Sequence, residues 1–456
     1  MKRKFTEIRI GKHHIHYAWV VLFACCMFFG ASMGIYSNCS GLYTAGMLGE
    51  MGWSLTLITV VGGGNTVARL YGSRIAPKLF KKYSMKTVIA VAEAVLLIAG
   101  MSKSLVKDLA FYALFLVVDG LAGAFIYYIP VPILINNWFH KKKDTALGIA
   151  MMSSGLMGAI ASPLFGKILE TSGWRTANAV NCFTALLVSL PAILLFVEVT
   201  PEKMGLKPYG WEPPEPVKVI TSPSQIFENG SEDYETGVSV KKKRSLFLLS
   251  MILAMLMNGV SGMPPKIPHF AITAGFGAAL GSLMLSASQV GNMASKAALG
   301  PLCDRFGHRR TYTVSAVLVF VSFLIFLAVP SAEASQGASA GTLMAGAAVP
   351  LLLASFLTGI SAANNTMIYP ASVRLYSRGD EYVEYISRIS MAITVFGAVW
   401  NLLQSALFDL SGNYTTTFIL YTVASGIAAV LTVRLFAAEK TAAVRKNNSI
   451  PRDREK

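Results

Sequence analysis

Charged side chains are scarce in this chain, at 14% of 456 residues, where soluble proteins run near about 25%. That deficit excludes a water-soluble globular protein, and the 54% hydrophobic content and mean hydropathy of +0.53 agree. Cysteine is also sparse. The five cysteines (Cys25, Cys26, Cys39, Cys182, Cys303) form no CxxC pair and mostly sit inside apolar runs, so they read as buried free thiols rather than disulfides or metal ligands. No GxxxxGK[ST] loop, HExxH pair or nucleophile elbow occurs, and no nucleophile–base or metal-ligand cluster emerges. An enzyme is therefore not expected, and no cofactor or metal is implied. Gly62-Gly63-Gly64 and Gly155-Leu156-Met157-Gly158 read as sites of close helix packing rather than as a phosphate loop. Acidic residues are the scarcer charge, 24 against 40 basic, leaving a formal net charge of +16. Such an excess suits nucleic acid, anionic lipid or an anionic substrate.

What is present in abundance is long apolar runs. A bilayer core about 30 Å thick needs roughly 20 apolar residues as helix, and twelve such runs can be marked. The first six are Tyr17–Gly41, Ser54–Phe80, Lys86–Met101, Asp108–Asn137, Ala146–Glu170 and Trp174–Glu198. The second six are Leu246–Thr273, Leu280–Cys303, Thr311–Val329, Leu343–Val373, Tyr385–Asp409 and Thr416–Ala437. The basic start followed by an apolar run imitates a secretory signal, but the run from Tyr17 to Ile35 exceeds the roughly 7–15 residues of a signal core. It is expected to be an uncleaved first span. Pro130, Pro132, Pro264, Pro265 and Pro268 imply kinks or breaks.

The expected organisation is a basic tail over 1–16, a six-helix bundle over 17–198, a linker over 199–245, a second six-helix bundle over 246–437, and a basic tail over 438–456. The linker, rich in Pro, Glu, Gly and Ser, cannot bury a core. A smaller polar loop, Ser331–Ala340, is built from Ser, Ala and Gly. If the N-terminus is cytoplasmic, 32 of the 40 Lys and Arg fall in cytoplasmic pieces, and only Lys103, Lys107, Lys167 and Arg175 fall in opposite loops. This bias follows the positive-inside rule. It assigns most of the charge to orientation and to anionic lipid, not to nucleic acid, and predicts a multi-pass protein of the cytoplasmic membrane with both termini inside. The segment Lys81–Lys86 aligns with Asp304–Arg309 at an offset of 223, and Glu170–Gly173 with Asp409–Gly412 at an offset of 239. The difference matches the extra loop after the ninth span. Duplicated six-helix halves are a transporter architecture, with the substrate site between the halves near mid-membrane.

The segment Gly300-Pro301-Leu302-Cys303-Asp304-Arg305-Phe306-Gly307-His308-Arg309-Arg310 resembles the GxLxDRxGxRR loop of the major facilitator superfamily. The resemblance implies that superfamily's all-α fold of twelve transmembrane helices in two bundles. It also gives Gly300, Asp304, Arg305, Gly307, Arg309 and Arg310 a gating role. The first-half copy is eroded, with Lys81 where the family has Asp and Ser84 where it has Gly. His16-Tyr17-Ala18-Trp19, Trp138-Phe139-His140-Lys141-Lys142-Lys143 leading into Ala146-Leu147-Gly148, and Gly173-Trp174-Arg175 are similar to the oxalate/formate antiporters and the related monocarboxylate transporters. That narrower resemblance implies transport of small organic anions.

Charges inside spans are costly and mark function by default. Arg69, Arg74, Lys266 and Lys296 are positive; Glu93 and Asp119 are negative. At 1.5 Å per residue, Lys296 lies about 12 Å and Arg69 about 18 Å from the cytoplasmic end. Spans 2 and 8 are counterparts, so these two cations are expected to face one cavity and hold a carboxylate. In the antiporters a basic residue of span 8 contacts the substrate, and Lys296 occupies that place. Their span 11 lysine, however, corresponds here to Phe396, before Gly397. Arg69 or Lys266 is a substitute, or the substrate is a monocarboxylate needing one cation. Asp119 is open between counter-ion to Arg69 and proton carrier. Arg74 and Glu93 read as snorkelling or inter-helix residues, and Lys266 and His269 as interface anchors. Tyr36, Asn38, Tyr127, Tyr128, Asn364 and Asn365 are candidate cavity-lining groups. The expectation is a monomeric secondary transporter of a small organic anion, working as an antiporter or a proton symporter. The alternatives are an efflux pump for amphipathic compounds and, less favoured, a transport-like sensor signalling through the linker.

Overall fold

In a bilayer every backbone N–H and C=O must find its partner within the protein, so spanning segments of this composition are forced into helices. A computed structural model describes residues 7–10, 13–127, 129–211, 240–329, 340–377 and 379–448, and the candidate cavity-lining Tyr128 lies outside them. Its only strands among the described residues are a short antiparallel hairpin in the basic tail, β1 (Glu7–Ile10) and β2 (His13–His16), with Glu7 opposite His16. All else of regular structure is helical.

The first half begins with α1 (Tyr17–Phe29), which runs on through a π-helical stretch, Gly30–Ser37, to α2 (Thr44–Met51). Next come α3 (Leu55–Lys82), α4 (Met85–Ser102), α5 (Leu109–Gly123) and α6 (Pro130–Trp138). Side chains cap the entries: Ser54 accepts from Leu57 N and Asp108 from Phe111 N, satisfying donors that have no intrahelical partner. The fourth expected span is thus two helices broken just before Pro130. The fifth and sixth appear as one continuous run, α7 (Lys143–Phe196), turned at Gly173 with φ 76°. Its two legs are antiparallel. Asn181 reaches Ile35 O at 3.0 Å and the Tyr17 hydroxyl reaches Phe196 O at 3.1 Å on the return leg, whereas Cys39 stands near Gly158 on the outward one.

The second half comprises α8 (Val240–Val260), α9 (Ile267–Thr273), α10 (Gly277–Phe306), α11 (His308–Ala328), α12 (Ala340–Val373), α13 (Gly379–Ser411) and α14 (Thr415–Asn448). Between α8 and α9 a tight turn and a single 3-10 turn, Pro264–Lys266, interrupt the span where its prolines stand. Among the described residues, eight segments are long and apolar enough to cross a membrane. The 28-residue α3 and 30-residue α10 have the length but carry more polar residues.

Each half has its own core. Phe28, Leu96, Trp138 and Phe139 anchor the first; Phe270, Phe323 and Tyr421 anchor one cluster of the second, and Leu253, Tyr312 and Tyr376 the other. Large apolar side chains such as Leu70, Leu164, Leu195 and Val395 are left exposed on outward helix faces, as lipid contact requires. Residues 199–211, expected within the linker, instead pack on the first half: Tyr209 N bonds Trp138 O at 2.8 Å and Asn137 Nδ2 bonds Val199 O at 3.0 Å. The triple glycine Gly62-Gly63-Gly64 does not serve close packing as expected, because a Cβ at Gly62 or Gly63 would meet open space. Gly155 does: a Cβ there would come within 3.0 Å of Gln289 O and of the Met293 side chain.

Contacts between the halves gather away from the basic loops. The Ser286 hydroxyl donates to Ala159 O at 2.6 Å, Asn38 Nδ2 donates to Gln289 Oε1 at 3.2 Å, and Thr59 and Ser405 hydroxyls meet at 2.8 Å. Asp409 accepts from the first backbone N–H groups of α3, Leu55 at 3.1 Å and Thr56 at 2.7 Å. Gly41 lies directly against the backbone of Pro265.

Candidate functional site

The polar residues of the first half converge on Asp119. α5 presents this carboxylate 6% exposed, a position untenable for a lone charge in lipid. Three donors meet it. The Tyr36 hydroxyl, from the π-helical stretch of the first span, bonds Oδ1. Asn65 Nδ2 from α3 bonds Oδ2 at 2.7 Å. The Lys103 ammonium stands 3.5 Å from Oδ1 and donates to the Tyr36 oxygen at 2.8 Å. Lys103 ends the α4 span in a 3-10 turn, Lys103–Leu105. Its positive charge also lies 5.1 Å from the centre of the Tyr36 ring, a cation–π distance.

Arg69 is one turn beyond Asn65 on α3 and touches the cluster through it, with Nη2 bonding Asn65 Oδ1 at 3.0 Å. The guanidinium carbon sits 5.0 Å from the Tyr127 ring centre, and Nε is buried without an acceptor. One of the two roles open to Asp119 in the sequence was counter-ion to Arg69, the other proton carrier. The structure makes Lys103 its ion-pair partner and inserts an amide between arginine and carboxylate. A pocket of about 300 Å³ opens beside these groups, lined by Tyr36, Asn65, Arg69, Lys103, Asp119 and Tyr127 and walled further by Tyr43, Tyr112, Trp174 and Asn178. Asp119 compensates one of its two cations, so the pocket has a formal charge of +1.

Other expected residues lie elsewhere. Asn38 binds Gln289 at the seam between the halves. Lys296 is not among the residues lining the Arg69 pocket. Lys296 falls on the α10 face that carries Ser286, Gln289 and Met293, each of which contacts the first half, because residues three and four apart share a helix face. It is half-buried and, among the described residues, has no hydrogen-bond or ion-pair partner. Asn364 is fully buried with both side-chain polar atoms unpartnered, and Asn365 reaches Asn258 Oδ1 at 3.3 Å. In the Gly300–Arg310 segment, α10 continues through Gly300 and Arg305 to Phe306, and Gly307, at φ 82°, links it to α11, where Arg309 and Arg310 lie. The Asp304 side chain lies outside the described residues.

Glu93 was expected to snorkel or pair between helices near the basic end. It does not snorkel: it is fully buried and pairs between helices, accepting from the Ser32 hydroxyl of the first span at 2.7 Å. Phe396, in place of a lysine, stacks its ring 5.4 Å from Trp400. Lys103 and Asn65 were missed. The signal for Lys103 was its place among the four basic residues on the wrong side of the charge bias; for Asn65 it was an amide four residues before Arg69.

The sequence model of the Major Facilitator Superfamily matches residues 19–349 and again 247–454. Probable transporter MCH2 of Saccharomyces cerevisiae is 24% identical over 327 residues, covering 70% of this chain and 63% of that protein. Monocarboxylate transporter 11 of Mus musculus is 21% identical over 301 residues, covering 65% of this chain and 60% of that protein. The chain thus spans less than two thirds of the length of these relatives. Among solved structures, a D-xylose–proton symporter superposes with a TM-score of 0.63 at 12% identity, covering 91% of this chain and 96% of that one. The nucleoside transporter NupG gives 0.62 at 15% identity, covering 92% and 100%. At these identities the likeness is one of fold.

Proposed function

The chain belongs to the Major Facilitator Superfamily, and we propose that within it this protein is a secondary active transporter of a small organic anion, a mono- or dicarboxylate, moved by alternating access across the cytoplasmic membrane with both termini inside. The observation that carries this reading is the Arg69 pocket. Its lysine is matched by Asp119, while the guanidinium has only an amide and a ring beside it. A cation held in a low-dielectric site without a carboxylate is a preformed place for one. A carboxylate against Arg69 would complete the charge balance and supply the acceptor that Nε lacks. Lys296, likewise without an acid partner and on the face of α10 turned to the first half, is the second contact in this reading, met as the halves rock.

Asp119 is the coupling group. With Lys103, Tyr36 and Asn65 all donating to it, adding a proton releases Lys103 and raises the positive charge of the pocket. An arriving anion and an arriving proton therefore favour each other there, as symport requires; exchange of two anions needs no such step. The aromatic walls also suit an amphipathic cation, but the pairing of Asp119 with Lys103 removes the free acid such a substrate needs. The test is uptake of labelled carboxylates into proteoliposomes. Arg69→Gln should abolish it while the purified protein unfolds at the wild-type temperature, and unchanged uptake would remove Arg69 from the site. An imposed pH step without internal substrate drives symport alone. Competition by hydrophobic cations rather than carboxylates would point to the efflux reading.

A further inference from the structure

Lys266 stands at the break between α8 and α9, next to Pro265, whose backbone packs on Gly41 of the first half. Its ammonium makes one hydrogen bond, to Asn401 Oδ1 at 3.3 Å, and has no carboxylate partner among the described residues. The neighbouring acceptors are already used. Asn401 Oδ1 also receives the Gln404 amide at 2.7 Å, and Gln404 Oε1 receives the Tyr421 hydroxyl. Asp409, the nearest acid along α13, is occupied by the start of α3. His269, on the next turn, is bonded to the Tyr414 hydroxyl. Beside this group the Trp400 indole N–H, on a residue only 6% exposed, faces the Tyr421 hydroxyl oxygen. The cluster holds more donors than acceptors and a full positive charge, the inverse of a self-satisfied structural network.

Its depth separates it from Lys296. A Cβ at Gly281 would lie 3.1 Å from Pro268 Cα, so Lys266 is level with the start of α10. Lys296 comes fifteen residues after Gly281 on that helix, about 22 Å nearer the basic end. No small organic acid spans that distance, so the two lysines cannot clasp one molecule.

Resting on the reading of the protein as an organic-anion transporter, we propose that Lys266, with Asn401, is a separate docking position for the transported carboxylate at the end away from the basic loops. In the present state the Gly41–Pro265 packing joins the halves beside it, and the Lys266–Asn401 hydrogen bond is exposed. A carboxylate arriving there takes the two spare ammonium protons. Lys266 would then set affinity on one face of the membrane only.

The experiment compares right-side-out with inside-out membrane vesicles, using labelled lactate, oxalate and succinate as probes. Lys266→Gln should raise the half-saturating concentration about tenfold, the worth of one charge-assisted hydrogen bond, on the face away from the basic loops and less than twofold on the other. Lys266→Arg should stay near wild type. Asn401→Asp, which gives the same ammonium an internal carboxylate, should reproduce the one-sided loss and covers the case in which Lys266→Gln fails to reach the membrane. An equal change on both faces, or none, overturns the proposal. If wild type carries none of the three acids, the organic-anion reading falls and this inference with it. If Arg69→Gln abolishes transport while Lys266→Gln and Asn401→Asp leave both faces unchanged, only this inference falls.

Discussion

Replacing Lys103 by methionine keeps an unbranched side chain, one atom shorter, and removes its charge. Asp119 would then be left 6% exposed with the Tyr36 hydroxyl and Asn65 amide as its remaining donors. Breaking a buried ion pair by deleting one partner costs about 3–5 kcal/mol, mostly because the other charge is stranded. Two surviving hydrogen bonds hold the figure near the lower bound. The lost donation from Lys103 to the Tyr36 oxygen at 2.8 Å adds about 1 kcal/mol, so a loss of about 4 kcal/mol is expected. The decisive arm is the second substitution. Asp119→Asn in the Lys103→Met background removes the stranded charge and keeps an acceptor for Tyr36. The double variant should therefore be more stable than Lys103→Met alone, with a coupling of about 2 kcal/mol or more. Reversible SDS-induced unfolding of the purified protein measures this. The readout is the reaction of a maleimide dye with Cys25, Cys39 and Cys182, which are buried and free in the folded state. If Lys103→Met lies within about 0.5 kcal/mol of wild type, or if Asp119→Asn makes it worse, the pair does not balance the pocket and the charge argument for an anion is refuted.

The architecture was legible because the membrane leaves few choices. Apolar runs of spanning length must be helical, and the basic residues fix which loops share a side. Both signals survive without knowledge of any contact. The prolines likewise marked the breaks before α6 and between α8 and α9. What sequence spacing gives is depth; what it withholds is the direction a side chain takes around its helix. Arg69 and Asp119 both read as charges inside spans, yet Asn65 stands between them and Lys103 takes the carboxylate. For Glu93 the sequence leaves snorkelling and pairing between helices open, and only its azimuth, turned inward to Ser32, decides. Lys103 follows the apolar run of α4 between two serines and reads as loop. The 3-10 turn that brings its ammonium to Tyr36 has no periodicity to detect. Lys296 illustrates the reverse case. Its helix face follows from Gln289 and Met293, but whether the two halves enclose it with Arg69 depends on the rocking angle between them, which no local pattern encodes.

That angle is set in part by two contacts at the end away from the basic loops, and each can be perturbed by a single change. Gly41→Ala would put a Cβ 1.7 Å from Pro265 O and 2.7 Å from its carbonyl carbon. Both are backbone atoms that cannot swing aside, so the halves should be unable to close there, and a cysteine placed at Ser405, which now meets Thr59, should become reactive to an impermeant maleimide. Asp409→Asn acts on the same seam by charge rather than bulk. The carboxylate accepts from the first two N–H groups of α3, donors with no partner in their own helix and at its positive end. An amide keeps one acceptor and loses the charge, a change of about 1–2 kcal/mol, which shifts a two-state ratio roughly 5- to 30-fold. The same Ser405→Cys label should therefore react faster in Asp409→Asn, by a factor of that order at low ionic strength, and the gain should shrink at high salt, because Asp409 is exposed and salt screens its charge. Protection of Ser405→Cys equal to wild type in both backgrounds would mean that neither contact holds the seam. The two variants differ in what they predict for substrate. Steric exclusion at Gly41 blocks the return to the closed state and so stops transport altogether, whereas loss of charge at Asp409 only rebalances two states that remain accessible, and transport should slow without ceasing.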